Sequence, residues 1–399
     1  MERVVPFFGL LVMMFLAWLL SSNRKMMNVR LILSGVALQL FFAWVILLTK
    51  PGKMAFEAAR SFVAQLLSFS DEGAAFVFGE SFKDHMIAFS VLSTIVFVSS
   101  VTAVLFHLGI VQVIVRFMAR IMVRVMDTSG SESLAATANV FFGMTEAPLV
   151  IKPYLPTMTR SELMVMMCSG MATVSGGMMA VYANMGIDAG HLLAASIMSA
   201  PASVVMAKIL VPEEEQSLTK GEGRIEVEDL DANVLDAACR GAAEGLRLAL
   251  NVGAMLVAFI ALVAMLNWFI SFLPFIGGEA LTLQRMLGWV CAPLAWLMGI
   301  PWSEATTVGQ LLGERTVLNE FYAYMDLAKV KDTLSPRSVH ITTYALCGFA
   351  NFGSIAVQIG GIGSLAPTRR ADFAAIGFKA MIGGVLATFM TACIAGMII

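Results

Sequence analysis

Two glutamates stand where a carboxylate is costly. Glu146 lies in the stretch SESLAATANVFFGMTEAPLVIKPYLP (131–156) and Glu320 in SEATTVGQLLGERTVLNEFYAYMD (303–326), each beside a break in an otherwise apolar run. A carboxylate at membrane depth costs about 2.5 kcal/mol or more, and its presence points to a task. Either side chain can accept a hydrogen bond from a substrate hydroxyl, bind a proton or help to hold a cation. The plain structural alternative is an acid satisfied by the amides at a helix N-terminus. Asn139, Thr173, Asn351 and Ser354 sit near glycines in stretches prone to unwind. Freed carbonyls there, joined by an amide oxygen and a hydroxyl, make an all-oxygen set suited to a small hard cation. Taken singly, each of these four reads as a helix–helix hydrogen bond; their recurrence in two regions favours a site.

These residues need a membrane around them. Of 399 residues, 58% are hydrophobic and 14% charged, against roughly 25% charged in a soluble domain, and the mean hydropathy is +0.82. A soluble single-core enzyme is excluded, and a net charge of −2 gives no basic field for nucleic acid. The cysteines (Cys168, Cys239, Cys291, Cys347 and Cys393) are scattered singly and read as small core residues, not a disulfide framework or a zinc site. His107, His191 and His340 show no partner pattern and read as packed or interfacial. A spanning helix needs about 20 mostly apolar residues. Stretches of that order lie at 4–23, 31–49, 86–112, 163–187, 189–207, 248–275, 338–365 and 380–399, which predicts eight spans. Loop charges such as Arg24, Lys25, Arg116, Arg120, Lys208, Arg240, Arg247 and Arg369 then fall on one side, the cytoplasmic one, with both termini outside. Lys50, Lys53, Lys329, Lys331 and Arg337 run against that bias. The segment 212–237, with Glu213, Glu214, Glu215, Glu226, Glu228 and Asp229, reads as an acidic cytoplasmic linker, and 54–70 as an interfacial amphipathic helix.

The stretches bearing the two glutamates are too short to cross twice, and each reads as a re-entrant hairpin. In the first, Gly143 marks the turn, Thr145 is the N-cap of the returning half and Pro148 lies in its first turn. In the second, Gly313 marks the break. Ser131-Glu132, Glu146, Arg160-Ser161 and the small-residue string at 172–177 recur in order as Ser303-Glu304, Glu320, Arg337-Ser338 and 350–354. That is an internal repeat, and an odd number of crossings between its copies makes it inverted, the architecture of secondary transporters. The predicted fold is therefore an all-α polytopic membrane protein with two re-entrant helical hairpins. Its parts are N-terminal spans (1–112), a first repeat (113–187), spans with the acidic linker (188–275), a second repeat (276–368) and a last span (369–399). No Walker loop, HExxH or GxSxG is present, so no enzyme or ATP-driven pump is indicated.

The segments GMTEAPLVIKP (143–153), LNEFYAY (318–324) and LCGFANFGSIAVQIGGIGSLAP (346–367) resemble the concentrative nucleoside transporter family. The resemblance extends from SSNRK (21–25) through LALNVGAMLVAFIALVA (248–264) to the C-terminus. It implies sodium-coupled nucleoside uptake, proton-coupled in some members, by a homotrimer in a cell inner membrane. Each protomer would have an outer scaffold and an inner transport domain that moves as an elevator. By position, base contacts fall on Met144, Thr145 and Glu146, and ribose contacts on Glu320, Asn351 and Ser354, with Phe349 and Met178 lining the pocket. The implied sodium ligands are Asn139, the carbonyls of Phe142 and Val174, and the hydroxyl of Thr173. Two departures stand out. The family usually has glutamine at the position of Met144, whose loss opens base preference to change and keeps a different small polar solute as an alternative substrate. Ser90 and Ser93 stand where relatives often have arginine and proline.

Overall fold

The computed structural model describes residues 3–220, 231–272 and 280–399; Glu226, Glu228 and Asp229 of the acidic linker lie outside them. Among the described residues the regular structure is helical, with one isolated bridge between Ser129 and Lys220. The chain runs through α1 (Val5–Leu19), α2 (Val29–Leu48), α3 (Lys50–Phe78), α4 (Leu92–His107) and α5 (Ile110–Met126). Then come α6 (Gly130–Ala138), α7 (Ala147–Val150), α8 (Arg160–Ala172), α9 (Gly176–Asn184), α10 (Ala189–Leu210) and α11 (Val234–Ile270). It closes with α12 (Leu283–Leu297), α13 (Trp302–Val317), α14 (Glu320–Val330), α15 (Pro336–Leu346), α16 (Phe352–Leu365) and α17 (Arg370–Ile398).

Among the described residues, six helices or helix pairs are long and apolar enough to cross a membrane: α2, α4 with its lead-in, α8–α9, α10, α11 and α17. The bent pair α12–α13, at 117°, would be a seventh. Of the other two stretches expected to span, 4–23 yields a helix of only 15 residues. The stretch 338–365 forms two helices separated at 347–351. The amphipathic helix expected at 54–70 is longer, α3, and begins under a Thr49 cap with Pro51 in its first turn.

Burial separates centre from periphery. The windows of α8–α9 and α10 are 89% buried, whereas that of α11 is 11% buried. Helix α11 lies against α4 with almost no side chain between them. A Cβ on Gly241 would come within 2.6 Å of the Ser99 carbonyl, and one on Gly245 within 2.8 Å of that of Ile95. Small residues in this spacing let two backbones approach within the membrane.

At the centre, two helix–break–helix units cross at their breaks. Unit one is α6–α7 followed by α8–α9, and unit two is α13–α14 followed by α15–α16. The Phe349 amide donates to the Thr173 carbonyl at 3.3 Å. A Cβ on Gly348 would sit 2.7 Å from the Met171 carbonyl, so only glycine fits the crossing. The base of each hairpin is tied to the start of its broken helix. The Ser131 hydroxyl donates to Glu162 at 3.1 Å, and the amide and hydroxyl of Ser335 donate to Glu304 at 3.2 and 3.1 Å. One residue of each serine–glutamate landmark takes part, Ser131 in the first unit and Glu304 in the second, while the partners Glu162 and Ser335 lie outside the recurring set.

Three local expectations change. Gly313 does not break the second hairpin: it lies inside α13, where a Cβ would meet Leu287 at 2.4 Å, so the glycine serves close packing on α12. The break falls at Leu318–Asn319, where Asn319 caps α14. In the first hairpin Thr145 is not the N-cap; Glu146 occupies that position, and the returning helix is a single turn. Of the charges expected in loops, Arg116 and Arg120 lie within α5, Lys208 within α10, and Arg240 and Arg247 within α11.

Candidate functional site

Both hairpin turns and the second helix break meet at a cavity of about 400 Å³, within the range of about 300–1,000 Å³ usual for small-molecule sites. Hairpin one contributes Met144, Thr145 and Glu146, hairpin two Asn319 and Glu320, and the break before α16 Phe349, Asn351 and Ser354. The opposite wall is α11, through Glu244, Arg247 and Asn251.

Local capping chemistry sets this geometry. The Asn319 side-chain oxygen accepts from the Tyr322 amide at 2.9 Å, which makes Glu320 the first residue of α14. The Asn351 oxygen accepts from the Ser354 amide at 2.9 Å and its hydroxyl at 3.1 Å, which starts α16. The Asn351 amide nitrogen then donates to Glu320 Oε2 at 3.1 Å, and the Tyr182 hydroxyl donates to Oε1 at 3.2 Å. Tyr182 is itself fixed by stacking on Tyr324, with ring centroids 4.2 Å apart. The Glu320 carboxylate is thus 4% exposed and has one protein donor on each oxygen. A carboxylate has about four acceptor positions, so room remains for ligand hydroxyls.

Glu146 is held more loosely. It is half-buried, and one oxygen accepts from the Gly143 amide at 3.2 Å within its own turn. Beside it, in a smaller adjoining cavity, stand Ser175, Arg240 and Glu244. Arg240 forks onto Asp231 at 2.6 and 2.9 Å and reaches Glu244 at 3.0 Å. The Arg240 hydrogen bond holds the Asp231 carboxyl below the usual carboxylate range.

Behind hairpin one, Asn139 and Thr173 converge on Ser169. Asn139 ends α6; its Nδ2 donates to the Ala135 carbonyl at 2.9 Å and the Ser169 hydroxyl at 3.0 Å, while its buried Oδ1 has no partner. Thr173 ends α8, and its hydroxyl donates to the Ser169 carbonyl at 2.9 Å. The Gly176 amide donates to the Phe141 carbonyl at 3.2 Å and binds the tip to the break, while the Phe142 and Val174 carbonyls accept no hydrogen bond among the described residues. An unpaired buried amide oxygen costs about 1–3 kcal/mol. Amide, carbonyl and hydroxyl oxygens of this kind fit a small hard cation.

Gly170 of α8 is the hub between these regions. A Cβ there would lie 2.6 Å from the Gln358 amide nitrogen, 3.0 Å from the Met144 Cβ and 3.3 Å from Asn139 Oδ1. Met178 alone among the expected pocket residues does not line the cavity. It is 1% exposed in the core, its amide donating to the Ser175 hydroxyl, because α9 restarts at Gly176 in a new helical phase. Tyr182, Ser169, Gly170 and Glu244 were not singled out from sequence, and Arg247 only as a loop charge. Arg240, Glu244 and Arg247 share one face of α11 by helical spacing, and a tyrosine in an apolar helix needs a hydroxyl partner; both signals were available. His191 and His340 are not without partners either: their rings lie 4.1 Å apart, and His191 Nδ1 is 3.1 Å from the Tyr344 hydroxyl. Cys239 is exposed, not a core residue.

Residues 191–396 match the family described as Na+ dependent nucleoside transporter C-terminus, residues 8–81 its N-terminus counterpart, and residues 88–189 a family described as nucleoside recognition. The chain is 41% identical over 396 residues to the uncharacterized transporter YutK of Bacillus subtilis, covering 98% of both proteins. It is 38% identical to solute carrier family 28 member 3 of Homo sapiens, covering all of this chain and 60% of that one. The solved structure of CNTnw in an inward-facing substrate-bound state is 39% identical, with a TM-score of 0.92 and coverage of 99% and 98%. A substituted CNTnw in an outward-facing state gives a TM-score of 0.93 at the same identity.

Proposed function

The chain belongs to the concentrative, sodium-dependent nucleoside transporter family, and from that membership we propose that it takes up nucleosides by sodium symport, binding them in the cavity between the two hairpins. It is a membrane transporter and not an enzyme, and sodium is the coupling ion of its family. The observation that carries the reading is the convergence of Glu146, Glu320, Asn351 and Ser354 on one cavity of about 400 Å³.

In this reading the carboxylate, amide and hydroxyl of unit two receive the ribose hydroxyls. Glu320 accepts, while Asn351 and Ser354 have remaining donor and acceptor capacity. Met144, Thr145 and Glu146 face the base. Methionine offers no amide, so a base edge that needs a paired donor and acceptor is less favoured here, and preference shifts among purines, pyrimidines and modified nucleosides. Sodium, carried as a co-substrate, is held by Asn139 Oδ1, the Thr173 hydroxyl and the carbonyls of Phe142 and Val174. Its support is the unpartnered Asn139 oxygen. Sodium also bridges hairpin one to the α8–α9 break. The loaded ion therefore favours the tip geometry that closes on substrate, which is the differential affinity that coupling requires.

The larger frame belongs to the same reading: eight spans, inverted repeats and an elevator-type movement of the two crossing units against a scaffold that includes α4 and α11. A homotrimer in a bacterial inner membrane completes it. Uptake into proteoliposomes with a labelled nucleoside panel tests the proposal. Accumulation driven by an inward sodium gradient supports it, and absence of uptake of every nucleoside under sodium and proton gradients overturns it.

A further inference from the structure

Arg315 is the largest side chain buried below 2% exposure. Among the described residues no carboxylate lies within ion-pair distance of it, and Glu320 acts on it only at longer range. A buried charge without a contacting counter-ion is expensive. Its partners are dipoles: Nη1 donates to the Ala345 carbonyl at 2.7 Å and the Thr388 hydroxyl at 2.8 Å, and Nε to the Gly348 carbonyl at 3.3 Å. The guanidinium lies 5.8 Å from the Phe389 ring centroid, and Nη2 has no partner. Ala345 and Gly348 bracket the C-terminal end of α15, where carbonyls freed by the break carry partial negative charge.

The same arrangement exists in unit one with the charge missing. There, a residue closing the first arm of the hairpin, Asn139, reaches the last turn of the broken helix α8 at the Ser169 hydroxyl, whose residue also accepts from Thr173 through its carbonyl. In unit two, a residue in the last turn of the first arm, Arg315, reaches the C-terminal end of the broken helix α15. One unit presents an unpartnered oxygen and the other a guanidinium.

We propose that Arg315 is a built-in cation: it does at the second break what sodium does at the first, so that one break is set by a tethered charge and only the other by the ion supply. The inference rests on the sodium-site reading of Asn139, Phe142, Thr173 and Val174. Arg315 acts as a positioning residue. By holding the carbonyl end of α15 it fixes the break from which Asn351 and Ser354 face the cavity.

The test uses Arg315→Gln, Arg315→Lys and Asn139→Ala in proteoliposome uptake, each checked for folding by monodispersity in detergent. Arg315→Gln lowers uptake about tenfold or more. Millimolar guanidinium restores it, whereas urea, a neutral molecule of the same shape, does not. The sodium dependence of the residual uptake steepens from first order towards second, because sodium now fills the vacated position as well. Arg315→Lys keeps uptake with an unchanged sodium order. A merely structural arginine would respond to guanidinium and urea alike and would leave the sodium order untouched. Wild-type behaviour of a folded Arg315→Gln, or a loss that neither guanidinium nor sodium relieves, overturns the proposal. If the glutamine variant does not fold, the lysine variant decides: retained uptake with first-order sodium dependence supports it, and loss in a folded protein overturns it. Asn139→Ala keeps the two readings apart. If that variant retains wild-type sodium dependence, the sodium-site reading fails, while the guanidinium response still reports on Arg315.

Discussion

Hairpin two holds its glutamate at the head of an eleven-residue helix, capped by Asn319 and hydrogen-bonded by Tyr182 and Asn351. Hairpin one holds its glutamate before a four-residue helix, with one amide from its own turn as partner. Both face one cavity. The first is preorganised: its donors come from two other helices, and moving it would break a chain that runs from Tyr324 through Tyr182 to Asn351. The second sits on a tip with little helix behind it, close to the Asn139 and Thr173 oxygens proposed to hold sodium. The difference suggests a division of labour, in which the rigid unit reads the constant part of a nucleoside and the adaptable unit couples base and ion.

The harshest way to break that comparison is Glu320→Gln. It replaces a buried acceptor by an amide that faces the Asn351 amide with the wrong polarity on one side, and uptake falls about 100-fold, equivalent to roughly 2.7 kcal/mol. Next is Asn139→Ala, which removes the unpartnered oxygen. Sodium affinity drops about tenfold with folding intact, because the unsatisfied oxygen is removed while Ala135 keeps the Asn139 backbone amide as donor and the Ser169 hydroxyl keeps its bond to Met166; sodium titration of uptake checks this. Met144→Gln sharpens the comparison instead. It supplies the missing amide on the adaptable side and changes the ranking of bases by about tenfold without altering the response to ribose modification, as competition among unlabelled nucleosides would reveal. Smallest is Tyr182→Phe, which takes one of two donors from Glu320 and raises KM about threefold to fivefold, the effect of roughly 1 kcal/mol.

Polar residues were readable in the sequence where the surroundings were apolar enough to make them anomalous. Glu146, Glu320, Asn351 and Ser354 stood out for that reason, and all four line the cavity. The pairing of hairpins with broken helices was readable because Ser131-Glu132, Glu146, Arg160-Ser161 and a small-residue string recur in order as Ser303-Glu304, Glu320, Arg337-Ser338 and 350–354. What escaped notice depended on helical phase and on packing distance. Gly313 looks like a break in one dimension but is a close contact with Leu287 in three. Met178 would point elsewhere if α8 and α9 were one continuous helix; the restart at Gly176 turns it into the core. Tyr182 lies in the same run, and only the packing of α9 near α14 shows that its hydroxyl finds Glu320. Arg315 carries no signal of its own in the sequence; only the closure of α15 and α17 around it shows that it is buried.

The most direct measurement is uptake competition by nucleosides lacking single ribose hydroxyls, compared between the wild type, Glu320→Gln and Met144→Gln in sodium-loaded assays. With the ribose held by Glu320, the wild type and Met144→Gln discriminate strongly against the deoxy compounds, and Glu320→Gln loses that discrimination. Discrimination retained in Glu320→Gln and lost in Met144→Gln would contradict the assignment of the ribose to the rigid unit.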